Sequence, residues 1–164
     1  MKTALPVAAA AALLPLQVLA VHTASLPVAA VKGAAEPKMV QNSDVRFQDV
    51  PDGFQVAVLR GDPGKAGALF TMRAKFPDGF KVPPHWHPAE EGFVVLQGTF
   101  ALGLGDKWDE AKLEPNGQGA YVVMPKGVRH FALAKGETIL ELSGIGPFKT
   151  VYVDAKDAPA KKKK

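Results

Sequence analysis

The chain contains no cysteine. Disulfides, thiolate metal ligands, thiol nucleophiles and a lipid-modified cysteine are therefore excluded, and any chemistry must come from nitrogen and oxygen groups. Helical periodicity is also missing. Beyond residue 20, no window keeps apolar residues at helical spacing for three turns. Basic surface is scarcer than the formal charge of +4 implies, because Lys161, Lys162, Lys163 and Lys164 account for all of it. Between Gln41 and Asp157 there are 13 Lys and Arg against 15 Asp and Glu. A body this mildly acidic has no basic stripe to track phosphates, which excludes a nucleic-acid partner. The terminal lysines read as a solvated tail; an electrostatic tether to an anionic surface is the sharper alternative.

What is present begins with the leader. Met1-Lys2 is a short positive start, and residues 4–20 are an almost unbroken run of Ala, Leu, Val and Pro. Val18-Leu19-Ala20 then places small or modest residues where a signal peptidase reads. Residues 1–20 are thus expected to be a signal peptide, giving a periplasmic or secreted protein with no membrane span after cleavage. Ala24 and Ala30 are alternative cleavage points. An uncleaved anchor competes with this reading, but Pro6, Pro15 and the short, Ala-rich run disfavour a spanning helix. Residues 21–44 are rich in Ala, Pro, Val and Lys without periodicity and read as a flexible linker. Residues 155–164 form the Lys-rich tail.

Between these ends, over residues 45–154, short apolar runs alternate with Gly, Pro and Asp punctuation. "FQVAVLRGDPG", "GALFTMRAKFPDG", "GFVVLQGTFALGLGD", "GAYVVMPKG", "RHFALAKGETILELSG" and "FKTVYVD" are examples. Several alternate with period two, and Gly-Asp-Pro-Gly and Pro-Asp-Gly are turn chemistry. The domain is expected to be all-β, with eight to ten short strands closed into a sandwich or barrel that removes exposed edges. In "ALFTMRAKF", Phe70, Met72, Ala74 and Phe76 share the inward face, and Thr71, Arg73 and Lys75 the outward one.

Four histidines occur in the chain, and one of them, His22, lies just past the leader. "GFKVPPHWHPAEEGF" holds two more. On a strand His85 and His87 project to one face while Trp86 points away. Glu91 follows after a short turn and can close on the same point from the next strand. His130 opens the strand after the Pro125–Gly127 turn. Three imidazoles and a carboxylate suit one divalent transition-metal ion such as Fe, Mn, Cu, Ni or Zn, and suit Ca or Mg poorly. A lone His-x-His is weak evidence, since surface histidines are common. All three histidines within residues 45–154 enter this one proposal, and buried polar groups need such a reason.

These residues resemble the cupin superfamily. "GFKVPPHWHPAEEGFVVLQG" matches the first cupin motif at Gly79, His85, His87, Glu91 and Gly98. "GAYVVMPKGVRHFALA" is similar to the second at Gly119, Pro125, Gly127 and His130, and departs from it at Ala134, where Asn is usual. The resemblance implies a jelly-roll barrel, that is a double-stranded β-helix. It also implies one metal held by His85, His87, Glu91 and His130, and often a homodimer through edge strands. It implies no single reaction.

Chemistry at such a site goes through the metal, because no Ser-His-Asp set can be assembled without taking ligands. Glu91 is the candidate catalytic base. Phe93, Val95 and Gln97 share its parity and are candidates to line the cavity, Gln97 as the polar group that orients a ligand. Tyr121 and Met124 are candidate walls, with core packing the blander alternative. Glu90, Arg129 and Trp86 are expected to face outward. Two functions fit: a secreted, oxygen-using oxidoreductase, dioxygenase-like or copper oxidase-like, on a small organic, phenolic or carbohydrate-derived substrate; or a non-catalytic metal- or ligand-binding module.

Overall fold

A computed structural model describes residues 37–159. The expected signal peptide, residues 21–36 of the expected linker and tail residues 160–164 lie outside the described residues. Among the described residues, none forms a helix long and apolar enough to cross a membrane.

Nine strands are present among them: β1 (Gln48–Asp49), β2 (Gln55–Arg60), β3 (Leu69–Phe76), β4 (Lys81–Trp86), β5 (Glu91–Leu104), β6 (Glu114–Gly117), β7 (Tyr121–Met124), β8 (His130–Ile145) and β9 (Val151–Tyr152). The apolar runs predict strands of roughly five to nine residues. Two are much longer: β5 has 14 residues and β8 has 16. The extra length is possible because both strands bend and continue instead of ending.

These two strands organise the fold. They pair antiparallel from Glu91↔Gly144 to Leu104↔His130. The free edge of β8 is shared, with β3 on residues 138–145 and β4 on residues 130–133. The free edge of β5 is shared in the same way between β7 and β6. One face is therefore β1-β2-β3-β8-β5-β7 and the other β9-β4-β8-β5-β6, joined through the bend. This is the all-β barrel expected from the pattern, in the jelly-roll form that the cupin resemblance implies.

The bend has a local cause. The β5 register shifts at Gln97 and again before Thr99, and Gly98 adopts φ +73°. Opposite, Lys135, Gly136 and Glu137 are exposed, and Gly136 also has φ +73°. Thr138, fully buried, fastens the corner by donating its hydroxyl to the Gly136 carbonyl at 3.0 Å. Paired bulges of this kind turn a ribbon sharply.

The inner faces meet in an aromatic core. Phe70, Met72, Ala74 and Phe76 are buried as their alternation predicts. Phe76 lies 5.3 Å from Phe100, and Phe93 meets Phe100 edge-on at 5.7 Å. Ala134, the position that departs from the cupin motif, packs in this core, and its backbone exchanges hydrogen bonds with Gly79 and Phe80. A small apolar residue therefore serves there.

Gly98 and Gly136 separate two costs. A Cβ on Gly98 would lie 2.6 Å from both the Glu137 carbonyl oxygen and Thr138 Oγ1, whereas one on Gly136 would touch nothing. Gly136→Ala should lose only the left-handed backbone cost, about 1–2 kcal/mol. Gly98→Ala should lose distinctly more, because backbone must also move. Urea unfolding of both variants measures the difference; equal losses would contradict the close packing of the bend.

Candidate metal centre

The side chains at the barrel mouth come from three places in the chain. His85 sits on β4, and His87 follows just after that strand ends. Glu91 is the first residue of β5 and His130 the first of β8. The Pro125–Gly127 turn, with Gly127 at φ +79° and its N–H donated to the His87 carbonyl, sets where β8 begins. His130 then pairs directly with His85 across the β4–β8 ladder.

The three imidazoles meet. Ring centroids are 4.1 Å apart for His85 and His130, 5.0 Å for His85 and His87, and 5.3 Å for His87 and His130. One ring nitrogen from each falls within 4.8 Å of the other two, and all three residues are buried. Three neutral imidazoles so placed could bind a metal ion.

Their tautomers follow from hydrogen bonds. Nδ1 of His85 lies 2.8 Å from the Pro83 carbonyl, Nδ1 of His87 2.8 Å from that of Lys149, and Nδ1 of His130 3.0 Å from that of Val128. A carbonyl only accepts, so each Nδ1 carries the proton and donates it. Nε2 is left as the lone-pair nitrogen of every ring. This is the arrangement by which backbone carbonyls orient metal-ligating histidines.

Glu91 is buried, and its Oε2 lies 3.1 Å from His87 Nε2. With Nδ1 already donating, that contact would set a carboxylate against a nitrogen lone pair. A proton or a cation between them removes the conflict. Accordingly, His87 titrates above the usual imidazole range: burial pushes it down most strongly, but the hydrogen bond and charge of Glu91, with the Lys149 carbonyl, outweigh that. His85 goes the other way, to about 3, through burial first and then repulsion from His130 and His87. His130 is also lowered, chiefly by burial. One imidazole of the cluster therefore takes a proton readily and two resist it, as expected of lone pairs converging on a place for positive charge.

The centre opens into a cavity of about 70 Å³. Phe76, Phe93, Phe100 and Leu142 contribute apolar wall, and Phe148 stacks on His87 at 4.6 Å. Some expected neighbours lie elsewhere. Gln97 is exposed and bonds to Glu137 instead, because the bulge before it reverses the strand parity that would have pointed it inward. Val95 is packed in the core. Tyr121 is 69% exposed and forms no wall, and Met124 is buried in packing. Glu90 is exposed, Arg129 faces Asp106 at 3.9 Å outside, and Trp86 stays off the cavity.

Sequence reasoning missed Asp52, Phe54, Phe148, Thr150 and Tyr152, all of which line the cavity. For the last three the signal was present: they alternate at i, i+2 and i+4 in "FKTVYVD". For Asp52, in a turn, periodicity carries no signal.

Comparison with known proteins agrees with this architecture. The chain is 37% identical over 60 residues to germin-like protein subfamily 3 member 3 of Arabidopsis thaliana, a match covering 36% of this chain and 28% of that protein. Among solved structures it resembles the polyketide cyclase RemF from Streptomyces resistomycificus, with TM-score 0.60 and 21% identity over 73% of this chain and 87% of the other. It also resembles KdgF from Halomonas sp., with TM-score 0.53 and 24% identity over 68% and 96%. Likeness at this identity speaks for the fold alone. The sequence model of the ChrR cupin-like domain matches residues 35–149, and the protein accordingly belongs to that family of the cupin superfamily.

Proposed function

We propose that the chain is an exported, metal-dependent oxidoreductase that uses oxygen on a small organic molecule. In this reading His85, His87, Glu91 and His130 hold one divalent transition-metal ion. The observation that carries it is the contact of Glu91 Oε2 with His87 Nε2 at 3.1 Å, in a cluster whose Nδ1 atoms all donate to carbonyls. Three ring nitrogens within 4.8 Å of one another, and a carboxylate oxygen beside one of them, are thereby gathered in an apolar barrel, where positive charge makes their proximity favourable. When bound, such an ion supplies Lewis acidity and, if redox-active, one-electron chemistry with dioxygen.

The protein's own groups have defined tasks. The aromatic wall excludes bulk water, which strengthens every polar contact inside. The three carbonyls hold the rings in one tautomer. Glu91, beside His87, is placed to accept a proton from a substrate hydroxyl or activated C–H. The signal peptide expected at residues 1–20 supports a substrate encountered outside the cytoplasm.

Three outcomes test the reading. Protein purified from an exporting host should begin after residue 20, by N-terminal sequencing, and contain about one transition-metal ion per chain by elemental analysis. His130→Ala should lose most of the metal. Glu91→Gln, nearly isosteric, should keep a substantial share of it yet lose oxygen consumption with phenolic, diketone or sugar substrates by about 100-fold or more. Metal binding and ligand-raised melting without turnover in the native protein would instead favour the non-catalytic binding module.

The titrations give a further expectation for metal-stripped protein. His85 and His130 titrate lower folded than unfolded, so below pH 6.5 the unfolded chain binds protons that the native one refuses. Stability should fall as the pH drops from 6.5 towards 3. His87 is raised, so its contribution is complete below 6.5 and is lost as the pH rises through its folded value. Thermal unfolding should accordingly weaken on acidification, and less so in His85→Gln. An identical acid slope in that variant would contradict a neutral, buried His85.

A further inference from the structure

Asp52 stands out among the cavity residues because nothing in the fold uses it. It sits in the turn between β1 and β2, where the Val50 N–H donates to the Phe54 carbonyl at 3.0 Å and the Gly53 N–H to the Val50 carbonyl at 3.1 Å. Phe54, two residues on, stacks on Phe76 at 4.7 Å. The turn is thus anchored on both sides, and Asp52 faces the same cavity as the three histidines. Its Oδ1 is fully buried and has no hydrogen-bond partner. Among the described residues no ion pair includes it.

A buried acceptor without a partner destabilises a protein. Burial also raises the Asp52 carboxyl above its ordinary range. The effect of its charge reaches Tyr152, also in the cavity wall, whose hydroxyl is pushed up to about 12 by burial first and Asp52 next. Asp52 is not part of the histidine cluster. The cavity therefore has two polar poles, the nitrogen lone pairs of the histidines and the carboxylate oxygen of Asp52.

We propose that Asp52 is the specificity-determining residue of this cavity. It accepts a hydrogen bond from a hydroxyl or amino group of a small, otherwise apolar ligand whose oxygen end lies at the histidines. The inference rests on the metal-centre reading and narrows its substrate class. A molecule with a chelating oxygen at one end and a donor at the other satisfies both poles. One with a methyl group in place of the donor leaves the buried Oδ1 unmatched, the condition under which polar sites discriminate most strongly. With about 70 Å³ to fill, the ligand is smaller than a benzene ring, which takes a cavity of roughly 150 Å³.

The test uses isosteric pairs: glycolate and 3-hydroxypropionate against propionate and butyrate, titrated calorimetrically into metal-loaded native protein, Asp52→Asn and Asp52→Leu. In native protein one hydroxylated probe should bind about 10-fold or more tightly than its methyl partner. In Asp52→Leu that ratio should fall to about one or invert, and in Asp52→Asn it should shrink. Both variants should melt at or above the native temperature, since a structural role would lower it. Equal binding within each pair by native protein, no binding of any probe, a ratio unchanged in both variants, or a large drop in melting temperature in both would each overturn the proposal. Native protein treated with chelator separates the two readings. Parallel weakening of all four probes is what the metal centre requires. If chelation changes nothing while the hydroxyl-to-methyl ratio persists, the metal reading falls and the role of Asp52 stands.

Discussion

Each of the three imidazoles donates its Nδ1 proton to a backbone carbonyl, and the character of the site follows from that choice. Two of the acceptors, Pro83 and Val128, lie two residues before the histidine they orient, so the strand itself sets the ring. The third, Lys149, comes from the segment before β9 and ties a distant part of the chain to His87. With Nδ1 committed, three Nε2 lone pairs and one carboxylate share a buried space. Opposite displacements of the His85 and His87 titrations are two expressions of this crowding: positive charge is welcome beside Glu91 and refused elsewhere.

The fold makes that crowding possible by bending one ribbon. His130 pairs with Leu104 at one end of the β5–β8 ladder, while Glu91 pairs with Gly144 at the other. In a flat ribbon, fourteen residues would hold the two ends about 40 Å apart. The corner at Gly98 and Gly136 folds the ribbon over, and Glu91 and His130 line the same cavity. A glycine distant from any ligand is thus a condition for the site, because it lets backbone pass close to Glu137 and Thr138.

Around the centre, chemistry is divided between poles. The three histidines could hold a cation, and the phenylalanines line the cavity with hydrocarbon. Asp52 supplies an acceptor that the folded chain leaves unmatched. Membership in the ChrR cupin-like family accounts for the barrel and its motif, whereas a cupin barrel as such selects no reaction. What a ligand must look like is written in the walls and in the second pole.

Much of this was legible in the residues. Period-two alternation in "ALFTMRAKF" sorts Phe70, Met72, Ala74 and Phe76 to the inside without reference to distant contacts. The spacing of His85, His87 and Glu91, with His130 after its Gly-containing turn, marks the candidate cluster, since alternation and turn chemistry are local properties. Strand lengths, the exposure of Gln97 and the roles of Asp52, Phe148, Thr150 and Tyr152 were decided only in three dimensions. A bulge changes parity from that point onward, and whether a strand bulges depends on the partner it must bend with. A turn residue such as Asp52 has no periodicity to read, so its place in the cavity depends on how the β1–β2 hairpin lies across the barrel.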